Sequence, residues 1–312
     1  CNVLEDGSTT INSQILYDIV RKIEDNSEIE MISNNGKLLT LRADGSRFSL
    51  ACLPKEDYPI IEQNNSGAEI NINAKILFKL IDKTKFAISN EETRYFLNGL
   101  YFSVNNEDKK SIVTLVGTDG HRLAKTELDL SNALNIAGII LPRKFILQLD
   151  RILGDFEGKV KMICTDTQVS LEADNFIIIS KLIDGTFPDY EKVIPVSNDK
   201  LLQVEAEPFF NAIDRVSTVN QDKTPTVKLQ FENNNIKIMA TSTDSNKGDE
   251  EVAASYAAEA LEILFNSKYI LDLQDVIEGE TMILELLNQS SPVIVKDPKD
   301  ATSLYILMPM RI

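Results

Sequence analysis

Apolar and polar residues alternate along this chain in two rhythms, one of three to four residues and one of two. The longer rhythm is clearest in Lys144-Phe-Ile-Leu-Gln-Leu-Asp-Arg-Ile-Leu153, and nearly the same order of apolar and polar positions returns in Lys268-Tyr-Ile-Leu-Asp-Leu-Gln-Asp-Val-Ile277. A weaker copy is Gln14-Ile-Leu-Tyr-Asp-Ile-Val-Arg-Lys-Ile23. Each predicts a short amphipathic helix. Asn12 or Ser13 is placed to cap the first and Asn266 or Ser267 the last, while Pro142 suits the first turn of the middle one. A second helix type repeats too. Ala74 to Phe86 contains Leu80-Ile-Asp-Lys83, and Pro208 to Val219 contains Ala212-Ile-Asp-Arg215. Pro208 falls where a first turn tolerates it.

The rhythm of two predicts strands between these helices. Lys37 to Leu41 and Phe48 to Leu53 flank the turn Asp44-Gly45; Ser111 to Gly117 and Arg122 to Leu128 flank Asp119-Gly120. Val169 to Leu171 with Phe176 to Lys181, and Val227 to Phe231 with Ile236 to Ala240, predict further hairpins. The unit is one strand, one helix and about three strands, with helices near 12–24, 74–88, 142–153, 207–219 and 266–277. Two units make a domain. The fold class expected is α+β, with domains at 1–66, 67–198 and 199–312. Five units is an odd number, and the chain opens on Cys1 rather than Met. The pattern therefore predicts one further unit of about 60 residues ahead of Cys1, because stacked units bury their apolar faces against neighbours.

Composition narrows the function. Of 312 residues, 43% are hydrophobic and 26% charged, a globular balance rather than a disordered one. The N-terminus lacks the basic and apolar regions of a secretory signal, and no apolar run reaches the ~18 residues of a membrane span. Three cysteines, Cys1, Cys52 and Cys164, are too few and too scattered for a disulfide framework or a CxxC site, which favours a reducing cytoplasm. His121 is the only histidine, so HExxH sites and histidine relays are excluded. GxSxG, GxxxxGK[ST] and GxGxxG are absent. Asp244 to Gly248 resembles a calcium loop faintly, with its Gly one place early and a ligand missing; it reads as a solvated loop. The net charge of −16 opposes a generic nucleic-acid binder unless the cations are gathered on one face.

Five segments carry a family resemblance: Arg94-Tyr-Phe-Leu-Asn-Gly-Leu100, Thr118-Asp-Gly-His-Arg-Leu-Ala124, Leu141-Pro-Arg-Lys144, Ser180-Lys-Leu-Ile-Asp-Gly-Thr-Phe-Pro-Asp-Tyr190 and Met308-Pro-Met-Arg-Ile312. In order and spacing the sequence resembles the bacterial DNA polymerase III beta subunit family, the beta sliding clamps, over essentially its whole length. The resemblance implies a non-enzymatic ring with no cofactor or metal. Each protomer of such a ring has three similar domains, and two protomers close head to tail around duplex DNA as a homodimer, with helices inside and sheets outside. The implied partners are double-stranded DNA without sequence preference, the DNA polymerase III alpha subunit, the clamp loader, and other clamp-binding polymerases and repair proteins; no membrane is involved. The large departure is the first half of domain one, on which ring closure turns.

The resemblance also assigns residues. A peptide pocket between the second and third domains is expected from Leu97, Thr118, Gly120, His121, Arg122, Leu123, Pro188, Lys192, Val193, Ile306, Leu307, Met308, Pro309 and Met310. Flexible Met and apolar residues suit a site that takes several partners. Read without the family, Ile306 to Met308 are equally a core strand and His121 an exposed turn residue. Lys192 stands where family members often carry Arg, and Pro292 where a small polar residue is usual. DNA is expected to face Lys75, Lys79 and Lys83, which share one helical face at i, i+4, i+8, together with Arg143, Lys144 and Arg151 on the next helix and Arg94 and Tyr95. The alternative for that face is a solvated surface. Phe48 and Leu50 are expected to meet Thr218 and Val219 between protomers. Two other readings compete: an acidic protein-interaction scaffold without a DNA role, and a hydrolase or transferase using Asp119 and Asp189.

Overall fold

The computed structural model describes residues 2–34, 36–107, 110–130, 136–220 and 222–310. Two compact units divide the chain, residues 1–62 and 63–312. The first carries α1 (Ser13–Val20), then β1 (Glu30–Asn34), β2 (Leu38–Ala43) and β3 (Ser46–Ala51) in an antiparallel sheet of that order. Asn12 rather than Ser13 caps α1, its side chain accepting from the Ile15 N–H at 3.1 Å. The turn between β2 and β3 has Asp44 and Gly45 both at positive φ, the conformation that favours Gly in tight hairpins. Leu39, Leu41 and Ala43 are buried on one face of β2. A cleft of about 470 Å³ opens between α1 and this sheet, lined by Ile15, Ile19, Ile23, Ala43 and Phe48 among others.

The second unit repeats one plan four times. The first pass is β4 (Ala68–Asn73), α2 (Ala74–Lys85), β5 (Gly99–Glu107), β6 (Lys110–Thr118) and β7 (Arg122–Leu130). The second is β8 (Ile136–Pro142), α3 (Arg143–Leu153), β9 (Lys159–Cys164), β10 (Gln168–Ala173) and β11 (Phe176–Lys181). The third is β12 (Lys200–Glu205), α4 (Ala206–Ser217), β13 (Thr226–Glu232), β14 (Asn235–Thr241) and β15 (Lys247–Tyr256). The fourth is β16 (Leu261–Asn266), α5 (Ser267–Leu271), β17 (Thr281–Leu286), β18 (Val293–Asp297) and β19 (Asp300–Leu307). This is the α+β repeat expected from the two rhythms. Two helices are shorter than expected: α1 ends at Val20 rather than near 24, and α5 stops after five residues instead of running to 277. Leu273, Gln274 and Val276 continue in tighter i→i−3 turns, which still bury Leu273 and Val276.

Two cores lie under the helices. Leu77, Ile81, Phe145, Ile146 and Leu149 pack α2 and α3 onto their strands, and Phe209, Phe210, Ile213 and Ile270 do the same for α4 and α5. In this second unit the described strands form two sheets. One runs β11-β10-β9-β4; the other has twelve strands in the order β16-β13-β14-β15-β12-β17-β18-β19-β7-β6-β5-β8. The long sheet exists because β19 pairs antiparallel with β7, from Ser303 opposite Thr126 to Leu307 opposite Arg122.

A buried ion pair backs that seam. Lys83, on α2, is 2% exposed and contacts Asp300 at the start of β19, with Glu278 at 3.2 Å. This corrects the expectation that Lys83 faces DNA: its ammonium is enclosed by carboxylates from the fourth repeat. Burial acts to lower the Lys83 pKa, but the Asp300 and Glu278 carboxylates outweigh it and the net shift is upward. Burial likewise acts to raise Asp300, and hydrogen bonds from Lys83, Thr302 and Ser303 hold it below the usual carboxylate range. The Asp300 contribution is complete above about pH 4 and is lost as pH falls through its depressed value; that of Lys83 is complete below about pH 10 and is lost as pH rises through its raised value. Asp300→Ala should therefore cost about 3 kcal/mol by urea denaturation at pH 7, at the low end for a broken buried pair because Glu278 remains. The loss should shrink on acidification below pH 4, and an equal loss at pH 7 and pH 2 would show that the pair does not act through charge.

Candidate partner-binding site and nucleic-acid face

The turn between β6 and β7 is built by its own side chains. The Thr118 hydroxyl donates to the Arg122 carbonyl at 2.6 Å and accepts from the Gly120 N–H at 3.1 Å. Asp119 accepts from the N–H groups of His121 (2.8 Å) and Arg122 (3.0 Å). Gly120 has φ +86°, a conformation that favours glycine, and a Cβ there would lie 2.5 Å from the Arg94 guanidinium, which would have to move aside. Arg94 is fixed by a bidentate pair with Glu91, at 2.6 and 2.8 Å, and in turn holds the Glu91 carboxyl below its usual range. Arg94, expected to face DNA, thus sits over the turn. Tyr95 beside it is 54% exposed.

Arg122 points inward across the β7–β19 seam. It pairs with Asp119 at 3.2 Å and with Asp272, donates to the Phe86 carbonyl at 2.6 Å, and lies 4.6 Å from the Tyr269 ring centroid and 5.2 Å from that of Phe86. Its side chain is 11% exposed. Tyr269 also stacks on His121, with centroids 6.3 Å apart and planes within 16°. Sequence reasoning missed Tyr269 and Asp272 because they lie at the shortened α5, far along the chain from Arg122. The chain continues past β19 beside this turn: the Met308 N–H donates to the His121 carbonyl at 2.9 Å, and that of Met310 to the Leu264 carbonyl at 2.7 Å.

The structure gathers the expected pocket residues into two layers. Leu97, Leu123 and Ile306 join Val116, Ile140 and Phe187 in a small separate core, and Leu307 is buried in the core around α4 and α5. These four are at most 3% exposed and Thr118 is 9% exposed, so they support the surface rather than line it. Above them stand exposed Gly120, His121, Pro188, Lys192 and Val193, with Met308, Pro309 and Met310 half-buried. Lys192 pairs with Asp189 at 2.8 Å. The Pro292 carbonyl accepts from the Asn198 side chain at 3.0 Å. Arg311 and Ile312, the end of the last motif, lie outside the described residues.

On α2 and α3 the cations are mostly engaged. Lys75 pairs with Glu157 at 2.7 Å and Lys79 with Glu278 at 3.0 Å. Arg143 donates to the Asn90 side chain, while Lys144 and Arg151 stand exposed. At the end of α4, Thr218 donates to the Asp214 carbonyl at 3.0 Å, and Val219 packs against Gly248 at the start of β15. Phe48 and Leu50 are half-buried in the first unit. Among the described residues no group of three or more His, Cys, Asp or Glu is arranged to hold a metal, and no helix is long and apolar enough to cross a membrane. Burial pushes the Cys164 thiol up to about 12, away from thiolate chemistry.

Three models of the DNA polymerase III beta subunit match in chain order: the N-terminal domain at residues 2–62, the central domain at 71–189 and the C-terminal domain at 191–311. The beta sliding clamp of Caulobacter vibrioides is 38% identical over 308 residues, covering 98% of this chain and 83% of that protein. That of Escherichia coli is 30% identical, covering 99% and 83%. Among solved structures, the sliding clamp of Bartonella birtlesii bound to griselimycin superposes with a TM-score of 0.95 at 38% identity, covering 100% of this chain and 84% of that one. The DNA polymerase III subunit beta of Pseudomonas aeruginosa gives 0.92 at 34%, covering 99% and 85%. Matched along nearly its whole length in both sequence and fold, the chain belongs to the DNA polymerase III beta subunit family, the beta sliding clamps.

Proposed function

We infer that this protein is a sliding clamp that encircles duplex DNA and tethers the replicative polymerase, acting as a processivity factor without catalysis of its own. The observation that carries this is the ordered match of all three beta-subunit domains on a fold superposing at 0.95. Domains at 1–66, 67–198 and 199–312 fit that reading. A role beside the chromosome places it in the cytoplasm, which fractionation of cells would check. The competing acidic scaffold has no account of the cation-bearing helices. Salt-resistant retention on circular but not linear DNA separates the two; equal retention on both would sink the clamp.

A sequence-independent ring needs mobile phosphate contacts rather than base readout. Lys75, Lys79, Arg143, Lys144 and Arg151 have the exposure and charge for this; Lys83 does not. Lys75→Ala and Lys79→Ala should each lower the salt slope of DNA binding by about 0.9, whereas Lys83→Ala should leave the slope unchanged while destabilising the fold. A slope unchanged by the first two would leave that helix face merely solvated.

Head-to-tail dimerisation is supported by the repeat itself. Within the chain, the last strand of one repeat (β19) pairs with the last strand of another (β7). The same logic matches β3, the last strand of the first unit, with β15, whose Lys247–Ala253 stretch has one edge free of strands among the described residues. Arg47 on β3 would then face the acidic run Asp249-Glu250-Glu251, with Phe48 and Leu50 near Thr218 and Val219. Phe48→Ala should raise the monomer fraction in sedimentation at low concentration, and an unchanged dimer would reject this edge.

The surface of His121, Pro188, Lys192, Val193 and Met308 to Met310 is read as the docking site for partner peptides from the polymerase alpha subunit, the clamp loader and repair proteins. Arg94 joins it through the Gly120 turn. Apolar anchors dominate such interfaces, so Met310→Ala should weaken a labelled polymerase-derived peptide with Gln and Leu-Phe anchors by about 1 to 3 kcal/mol, with an unchanged circular dichroism spectrum. Affinity within twofold of wild type in both Met308→Ala and Met310→Ala would refute the site.

A further inference from the structure

Between β11 and β12 the chain crosses the outside of the long sheet, and this connection carries Pro188, Lys192 and Val193. Its ends are hydrogen-bonded. The Ile183 N–H donates to the Ile140 carbonyl at 3.1 Å, and the Asn198 side chain donates to the carbonyls of Glu285 and Pro292. Between those ends, among the described residues, side chains hold it to the sheet. Phe187 is 8% exposed although Thr186 and Pro188 on either side are exposed. Its ring stacks on Tyr101 of β5, with centroids 5.2 Å apart and planes within 29°, and Tyr190 closes on the same ring at 5.7 Å. The Lys125 ammonium lies 6.0 Å over Tyr190.

Tyr101 keeps this position because of what lies beneath it. Gly138, on the edge strand β8, faces the ring so closely that a Cβ there would come within 2.1 Å of the Tyr101 hydroxyl and 2.2 Å of Cε2. An aromatic ring laid across an edge glycine fills the gap that the missing side chain leaves, and here the gap also fixes the height of the ring. Gly138 has no positive φ, so its requirement is for space and not for backbone conformation.

We infer that Tyr101, seated on Gly138, is a positioning residue for partner binding: it holds Phe187 and Tyr190, and through them sets the place of Lys192 and Val193 on the docking surface. The inference rests on the reading of that surface as a peptide site. A connection anchored at its middle presents these residues already ordered, and ordering them on binding would otherwise oppose affinity.

The test is titration of the same labelled Gln and Leu-Phe peptide against the full chain and its variants. Tyr101→Ala and Gly138→Ala should each weaken binding about tenfold, the second by tilting the ring without removing it. Tyr101→Phe, which keeps the stack, should bind within twofold of wild type. Val193→Ala should weaken binding in the wild-type background and add nothing in the Tyr101→Ala background, because a displaced Val193 has no contact left to lose. Amide exchange should quicken over residues 184–193 and stay unchanged in β5 and β6. Wild-type affinity in Tyr101→Ala and Gly138→Ala, or full additivity with Val193→Ala, overturns the inference while Met310→Ala still binds weakly. Wild-type affinity in Met310→Ala and Val193→Ala as well overturns the peptide site itself.

Discussion

The pairing of β19 with β7 is the constraint on which the rest of residues 63–312 depends. It joins strands far apart in sequence, and it turns two smaller sheets into one of twelve strands. A strand edge left open is a template for unwanted pairing, so closing this one removes a hazard as well as adding hydrogen bonds. Two cations flank the seam. Lys83 meets Asp300 at one end of β19, and Arg122 meets Asp272 and the Tyr269 ring near the other. Each comes from the second-domain side and each finds its counter-charge on the third-domain side. A slip of one residue in register would turn every side chain of β19 to the opposite face. It would also strand Lys83 in a buried position with its carboxylate displaced. Buried charge is a poor source of net stability, and a better-attested use is to select one arrangement over its neighbours.

The proposed docking surface would inherit its shape from that seam. Met308 bonds to the His121 carbonyl because β19 has delivered the chain there, and Arg122 cannot turn outward while Asp272 and Phe86 hold it. The small core of Leu97, Leu123, Ile306 and Phe187 lies across the same line, drawing on both sides of it and on the crossing connection. On the proposed reading, partner recognition and the joining of the two domains draw on one set of contacts.

Much of this was legible in the sequence. Asp44-Gly45 and Asp119-Gly120 marked their hairpins, and the repeated period located all five helices, with the expected caps Asn12 and Asn266 opening the first and last. The candidate surface was legible only through family motifs, since His121 and Met308 carry no chemistry that distinguishes them from ordinary turn and strand residues. Lys83 was misread for a definite reason. The i, i+4, i+8 spacing with Lys75 and Lys79 describes one helix in isolation, and three residues on one face share a direction but not an environment. The third lies at the helix end from which its ammonium reaches the start of β19, and its partner Asp300 is 217 residues away. Arg122 hid in the same way, its ring and carboxylate partners belonging to another repeat. The shortening of α5 was illegible because Leu273 and Val276 keep their buried places whether the backbone is α-helical or tighter.

The charge balance follows from the same geometry. A chain of net charge −16 that must stay near DNA without gripping it needs cations that phosphate can reach and leave. On α2 the two exposed lysines are each met by a carboxylate, Lys75 by Glu157 and Lys79 by Glu278, in exposed pairs whose strength is small. Such a pair would compete with phosphate for the ammonium, so under the proposed function each contact to DNA would be offset in part by one released within the protein. Glu278 has a double place in this, since it also approaches the buried Lys83. The carboxylate that tempers a lysine on the helix surface thereby takes part in fastening the seam beneath it, so on the proposed reading weak attachment to DNA and firm attachment between domains share a residue.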